Sequence, residues 1–135
     1  FIQLTKLFRE NGFSVMLIGE GDNKPGIRWS DKISLETLVG LISFSRIFVG
    51  NDSGPAHIAG ALGIPTVSIF GPTHPALGFT PRGRYVTYVS AELECSPCTI
   101  HGKGKCKFKT RKCFDMITPE QVFEKAIKIY EKSKQ

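Results

Sequence analysis

The chain has 135 residues, of which 41% are apolar and 22% charged; this is the composition of a folded globular domain and excludes a disordered segment. No apolar run approaches the roughly 18 to 20 residues that span a bilayer, and Lys6, Arg9 and Glu10 interrupt the start, where a signal peptide needs an unbroken apolar stretch. We therefore expect a cytoplasmic protein, whose net charge of +6 favours anionic partners.

The first part of the sequence alternates helix and strand patterns. Apolar residues recur with helical spacing over 1–10, and the apolar run over 13–18 predicts a strand. Residues 19–32 are polar and contain glycines, which predicts a loop with room for a short strand. Ser34 is placed to N-cap a second helix that ends near Phe44.

The alternation continues to the end of the chain. A very short strand is predicted over 47–50, then a helix that begins after Asp52, then an apolar strand over 66–70. Residues 85–89 alternate like a strand, and the sequence TPEQ at 118–121 has the capping-box pattern that opens a final helix.

This order of elements predicts the fold class. Alternating helices and strands are typical of an α/β domain, here a Rossmann-like parallel sheet with helices on both faces and a single domain over 1–135. Such a domain normally opens with a strand, whereas this chain opens with a helix. We therefore expect a first strand to precede Phe1.

The stretch NDSGPAH is the first candidate for a binding site. It joins a predicted strand to a helix N-terminus, where free backbone N–H groups and the helix dipole favour an anion. Gly54 allows close backbone approach, Ser53 adds a hydroxyl, and His57 lies one helical turn further on. The alternative is that Asp52 or Ser53 only N-caps the helix. A second loop, GPTHP, follows the next strand and is expected at the same sheet edge.

The stretch DSGPAHIAGALGIPTVSIFGPTHP resembles the signature of the ADP-heptose:lipopolysaccharide heptosyltransferases. The resemblance extends over roughly 13–122. That family has two Rossmann-like domains facing across a cleft, the GT-B architecture, and its C-terminal domain holds the nucleotide sugar. The resemblance therefore implies that this chain is the C-terminal, donor-binding half of such an enzyme, which transfers heptose from ADP-heptose to the lipopolysaccharide inner core.

The resemblance also implies roles for particular residues. The donor diphosphate and sugar would be surrounded by Asp52, Ser53, Gly54 and His57, with Gly71, Pro72 and Thr73 in the neighbouring loop. Ile33 would lie near the adenine and Asp22 near the ribose hydroxyls.

The resemblance further implies what the chain lacks. The catalytic carboxylate of the family belongs to the N-terminal domain and has no counterpart here, so the chain by itself is expected to bind a donor and to catalyse nothing. No cofactor is expected. The alternatives are a stand-alone nucleotide-sugar or nucleic-acid binding module, and a sugar-nucleotide epimerase domain; the epimerase is disfavoured because such proteins commonly have Glu where His57 stands.

The segment 95–113 is rich in cysteine and basic residues, and we call it the cysteine loop. Cys95 and Cys98 form one tight pair, and Cys106 and Cys113 follow at wider spacing. The sequence leaves open a structural zinc at these four cysteines, reduced thiols, or disulfides such as hyperthermophiles form.

The same loop carries six Lys or Arg residues and no acid between His101 and Cys113. Such a charge run is either a solvated loop or a surface for an anion. The expected partners are an ADP-sugar, the acidic lipopolysaccharide core and the anionic inner membrane of a Gram-negative bacterium, at which the protein would be peripheral. Specific nucleic-acid binding is not expected, because Phe108 alone among the lysines offers a ring for base stacking.

Overall fold

The computed structural model describes residues 1–19, 27–29, 33–102 and 104–135. Five helices and five strands are found among them. In chain order they are α1 (Ile2–Glu10), β1 (Met16–Ile18), β2 (Ile27–Trp29), α2 (Leu35–Ser43), β3 (Phe48–Asn51), α3 (Gly54–Ala61), β4 (Thr66–Phe70), β5 (Val86–Ser90), α4 (Lys112–Asp115) and α5 (Pro119–Ser133).

All strand pairs in the described residues are parallel. Strand β1 pairs with β2, and β3, β4 and β5 form a second sheet in which Phe48 is opposite Thr66 and Thr66 is opposite Val86. Parallel strands need crossover connections; α3 supplies the one between β3 and β4, and the segment with the short 3-10 helix Pro75–Leu77 connects β4 to β5. The prediction of a parallel α/β fold is confirmed.

A groove of about 940 Å³ separates the two sheets. Strands β1 and β3 border it, each with an edge that pairs with no strand in the described part of the chain, and apolar side chains such as Leu4, Phe8 and Ile42 line it. This groove lies between the strand that follows α1 and the strand that follows α2.

Strand β4 is the centre of the core, and every one of its residues is buried. Val67 and Ile69 project to one face and pack with Leu4 of α1, Val122 of α5 and neighbouring apolar residues. Helix α3 contacts β3 and β4, and its Ala56 and Ala59 are fully buried. Because successive side chains of a strand alternate, complete burial of β4 requires helices on both faces, as predicted.

Two helix starts agree with the sequence patterns. The Ser34 hydroxyl accepts a hydrogen bond from the Thr37 backbone N–H at 3.2 Å. At α5, Thr118 and Gln121 form a reciprocal capping box, with distances of 3.1 and 3.2 Å. Both caps are local pairings, which is why the sequence alone indicates them.

Other element boundaries differ from those predicted. The strand expected over 13–18 is limited to Met16–Ile18, and the one expected over 85–89 is Val86–Ser90. Helix α4, which begins at the end of the cysteine loop, was not predicted. No helix in the described ranges is long and apolar enough to cross a membrane.

Candidate functional site

Two loops meet at the carboxyl edge of the three-stranded sheet. Strand β3 ends at Asn51 and β4 at Phe70, and Asn51 is opposite Ile69 in the parallel register. The Asp52 backbone N–H donates to the Ile69 carbonyl at 3.1 Å, so the first loop begins beside the end of β4. The expected adjacency of the NDSG and GPTHP loops is confirmed. Open α/β sheets bind ligands at this edge.

In the first loop, the hydroxyl of Ser53 does not cap helix α3. Ser53 occupies the N-cap position in an extended conformation, but its Oγ donates to the Asn51 carbonyl at 3.0 Å. The capping interpretation is therefore wrong for the Ser53 side chain. Its hydroxyl oxygen retains lone pairs, and the first turn of α3 has no side-chain acceptor from its own N-cap.

The polar residues of this loop face solvent. Ser53, Gly54 and His57 are exposed, Asp52 is half-buried, and Pro55 lies in the first helical turn, where no N–H is needed. An imidazole, a hydroxyl and the N-terminus of a helix are thus accessible within one turn of each other. Together they are suited to an anionic ligand.

The second loop is more enclosed. Gly71 and Thr73 are buried and Pro72 is half-buried. A Cβ added to Gly71 would lie 2.4 Å from Cζ of Phe114, so the ring of Phe114 occupies the space that a side chain at 71 would need. The side of this loop next to the ring is therefore covered by helix α4.

His74, which sequence reasoning did not select, organises the end of the second loop. Its Nδ1 accepts from the Ala76 backbone N–H at 3.1 Å and so begins a short 3-10 helix over Pro75–Leu77. Its Nε2 lies 3.6 Å from Oε2 of Glu92, beyond the end of β5. His74 thus ties the loops after β4 and β5 to each other. The sequence feature that could have pointed to His74 is its position in the GPTHP loop.

Two predicted site residues lie further away in the chain. Ile33 is half-buried directly before the N-cap of α2, and α2 packs against α3. Its nearness to an adenine ring stays a prediction. Asp22 lies outside the described residues.

The cysteine loop contains four free thiols. The backbone N–H groups of Arg111, Phe108 and Thr110 face the sulfur of Cys106 and lower the pKa of that thiol. Burial, and then the neighbouring Cys95, raise the pKa of Cys98.

Burial also raises the pKa of Cys113, and Cys106 and Cys95 add to the effect. The thiols therefore lie near enough to influence one another's ionisation. Within the described ranges, however, no three His, Cys, Asp or Glu side chains are grouped so that they could hold a metal ion. Zinc at these cysteines stays a prediction.

Comparison with known proteins identifies the family. The model of glycosyltransferase family 9 (heptosyltransferase) matches residues 1–108 of the chain. The chain belongs to glycosyltransferase family 9. This family membership confirms the resemblance found in the DSGPAH and GPTHP stretches.

Relatives of the family 9 chain are named as heptosyltransferases. It is 35% identical over 99 residues to lipooligosaccharide heptosyltransferase 2 of Campylobacter jejuni serotype O:6, covering 73% of this chain and 30% of the relative. It is 36% identical over 90 residues to lipopolysaccharide heptosyltransferase 1 of Pseudomonas aeruginosa, covering 63% and 24%. The chain thus spans about a third or less of the length of these relatives.

Solved structures of family 9 share the fold. The structure of Escherichia coli ADP-heptose lps heptosyltransferase II matches with a TM-score of 0.76 and 20% identity, over 99% of this chain and 41% of that one. A family 9 glycosyl transferase from Veillonella parvula matches with a TM-score of 0.75 and 21% identity, over 98% and 40%. At this identity the likeness establishes the fold alone.

Proposed function

We propose that this chain is the donor-binding part of a glycosyltransferase that transfers heptose from ADP-heptose to the lipopolysaccharide inner core. The observation that carries the proposal is that the two motif loops, Asp52–His57 and Gly71–Thr73, meet at one carboxyl edge of the parallel sheet. Family membership and the names of the relatives support the same reaction.

The first loop would hold the diphosphate and the sugar. The start of α3 and Gly54 allow close approach of the backbone, Ser53 offers a hydroxyl, and His57 offers an imidazole N–H as a hydrogen-bond donor. Asp52, half-buried at the strand end, would accept hydrogen bonds from sugar hydroxyls.

Charge develops on the diphosphate as it leaves the sugar. Fixed donors placed around it stabilise the transition state more than the bound donor, and this difference is what accelerates the transfer. We assign this effect to His57, the helix terminus and Ser53, with Gly71, Pro72 and Thr73 forming the facing wall. For Ser53 to donate to the phosphate, its single hydroxyl hydrogen would turn away from the Asn51 carbonyl. Ile33 would contact the adenine and Asp22 the ribose hydroxyls.

Point variants test the donor site. ADP-heptose binding is measured on the 135-residue chain by NMR titration, and turnover on a polypeptide of the relatives' full length that carries these residues. We expect His57→Ala and Ser53→Ala each to lower turnover by about 10² or more, as loss of a single transition-state donor does.

Ser43→Ala is the matched control, because Ser43 is also an exposed serine whose hydroxyl donates to a backbone carbonyl, that of Gly40 at 2.7 Å. It should leave turnover unchanged. Unchanged donor affinity and turnover in both site variants would show that the donor binds elsewhere.

The cysteine loop would face the acidic acceptor or the anionic membrane surface. Its basic residues Lys105, Lys107, Lys109, Arg111 and Lys112 are all exposed. Near anionic lipid each such residue contributes about 1 kcal/mol. We expect adsorption to anionic vesicles, lost when Lys105, Lys107 and Lys109 are changed to Glu. Tight, sequence-selective binding to an oligonucleotide at physiological salt, without affinity for ADP-sugars, would favour a nucleic-acid module instead.

A zinc ion at the four cysteines would be structural in this proposal and would take no part in the transfer. Zinc prefers thiolate ligands at about 2.3 Å, so binding would require the thiols to move together. The test is to measure the zinc content of the protein purified without chelator and to compare it with that of a Cys95→Ser, Cys98→Ser double variant. A stoichiometric zinc content lost in the variant is the expected result.

A further inference from the structure

The segment Ser96–Cys98 binds three consecutive carbonyl groups of the second loop. The Ser96 hydroxyl lies 3.1 Å from the carbonyl oxygens of both Gly71 and Thr73. The Cys98 backbone N–H donates to the Pro72 carbonyl at 2.9 Å. A hydroxyl has one hydrogen, so Ser96 shares it between the carbonyls of Gly71 and Thr73. The Cys98 N–H binds the Pro72 carbonyl, which lies between them in the sequence.

This arrangement determines where the N–H groups of the loop point. In a trans peptide the C=O and the following N–H lie on opposite sides. The carbonyls of Pro72 and Thr73 face Ser96–Cys98, so the N–H groups of Thr73 and His74 face the other way. Neither N–H donates a hydrogen bond within the part of the chain that the structure describes. Among the described residues, both N–H groups are therefore unpartnered donors of the second loop, and a phosphate oxygen accepts hydrogen bonds from such groups.

The cysteine loop also packs against side chains of the second loop. Gly102, at φ +66°, approaches so closely that an added Cβ would lie 3.2 Å from Cγ of Pro72 and 3.2 Å from Cγ2 of Thr73. The ring of Phe114 fills the space beside Gly71.

We propose that Ser96 is a positioning residue for the donor diphosphate: it holds the Gly71–Thr73 loop with the N–H groups of Thr73 and His74 directed at a phosphate. The inference rests on the proposed function and adds a residue to it. Ser96 itself acts through the loop and does not touch the donor.

The test compares ADP with adenosine, which has the same base and ribose without phosphates. We expect Ser96→Ala to raise the Kd of ADP about tenfold, the cost of loosening one charge-assisted contact, and to leave the Kd of adenosine unchanged. In ¹H–¹⁵N spectra, ADP should shift the Thr73 and His74 amides of the wild-type chain and shift them much less in the variant.

A pair of isosteric variants separates this role from folding. Ser96→Thr keeps the hydroxyl, and Ser96→Val has the shape of threonine without it. The valine variant should therefore weaken ADP binding about as much as Ser96→Ala does, and the threonine variant should largely keep it. Ser43→Ala is the control, because its hydroxyl donates to the Gly40 carbonyl at 2.7 Å within helix α2.

The outcomes are distinguishable. If Ser96→Ala raises the Kd of adenosine as much as that of ADP, or if the valine and threonine variants bind ADP equally well, Ser96 does not position the phosphate site. If ADP shifts the amides of Asp52–His57 but not those of Thr73 and His74, this inference fails and the proposed function survives. If ADP shifts neither loop, both are overturned.

Discussion

Gly60 of helix α3 and Gly83, just before β5, are in backbone contact. A Cβ added to Gly83 would lie 2.5 Å from the Gly60 carbonyl oxygen, and one added to Gly60 would lie 2.7 Å from the Arg82 carbonyl oxygen. Neither glycine has a positive φ, so the requirement is for space and not for an unusual backbone conformation. The contact holds the helix that carries His57 against the segment that leads into β5.

The first prediction concerns this contact. Replacing Gly60 by Ala adds a methyl group against a backbone carbonyl that cannot swing away, and overpacking of this kind costs about 1 to 3 kcal/mol. The gain in helix propensity, about 1 kcal/mol, is too small to offset the upper part of that range. Chemical denaturation should therefore give a lower free energy of unfolding for Gly60→Ala.

Gly40 offers the matched control, since it lies within α2 and an added Cβ would meet nothing within 4 Å. Gly40→Ala should stabilise the chain by about 0.5 to 1 kcal/mol through helix propensity alone. Equal effects of the two substitutions would contradict the close approach at Gly60.

The second prediction concerns a buried hydroxyl. Ser68 in β4 is fully buried, and its Oγ has no hydrogen-bond partner among the described residues. Removing an unsatisfied buried hydroxyl recovers part of a desolvation cost of about 1 to 3 kcal/mol, so Ser68→Ala should be neutral or stabilising in thermal denaturation.

Thr66, two residues earlier and equally buried, is the comparison, because its Oγ1 donates to the Ile64 carbonyl at 2.7 Å. Thr66→Val removes that bond and leaves the carbonyl unpaired, at a cost of about 1 kcal/mol or more. A clearly destabilised Ser68→Ala variant would mean that this hydroxyl has a partner in the folded protein.

The third prediction concerns the start of α5. Thr118→Ala removes one half of the capping box with Gln121 and should destabilise the chain by about 1 kcal/mol. Thr110→Ala, at an exposed position whose hydroxyl makes no hydrogen bond within the described ranges, should change the free energy of unfolding by less than about 0.5 kcal/mol. Comparable losses in both variants would argue against the cap.

The parts of the fold that the sequence predicts are those set by local chemistry. Strand β4 was predicted with its observed bounds because an apolar run lies between Pro65 and Gly71, and both helix caps depend on residues three positions apart. The adjacency of the two motif loops follows from the parallel crossover rule. These features need no knowledge of distant contacts.

The parts that the sequence could not predict depend on distant contacts or on competing local ones. Ser96 meets the carbonyl of Gly71 across 25 positions, and no periodicity marks such a pair. Helix α4 begins after Arg111, whose φ of 48° is unusual for a non-glycine residue. The hydroxyl of Ser53 can either accept from a backbone N–H of the first turn of α3 or donate to a nearby carbonyl. Only the backbone geometry decides that it donates to the Asn51 carbonyl.

The last prediction concerns the reactivity of the thiols. Cys98 is more exposed than Cys106, so accessibility alone predicts that an alkylating reagent modifies Cys98 first. The pKa of Cys106 is lowered by backbone N–H groups, that of Arg111 foremost. The pKa of Cys98, although this residue is exposed, is raised by partial desolvation of its thiol and by nearby thiols. Because the thiolate is the nucleophile, ionisation predicts the opposite order.

At pH 7, below the usual pKa of a thiol, Cys106 should have the larger thiolate fraction and should react first with iodoacetamide. The order of reaction is measured by quenching the labelling at successive times and analysing the digested peptides by mass spectrometry. A low-pKa thiolate is intrinsically less nucleophilic, which offsets part of this advantage. As the pH rises toward 10, Cys98 ionises as well. Because Cys98 is more exposed, the difference between the two labelling rates should then become smaller or change sign. A Cys106→Ser variant should leave the rate at Cys98 nearly unchanged at pH 7. Faster labelling of Cys98 than of Cys106 at pH 7 would mean that the N–H groups around Cys106 do not stabilise its thiolate in solution.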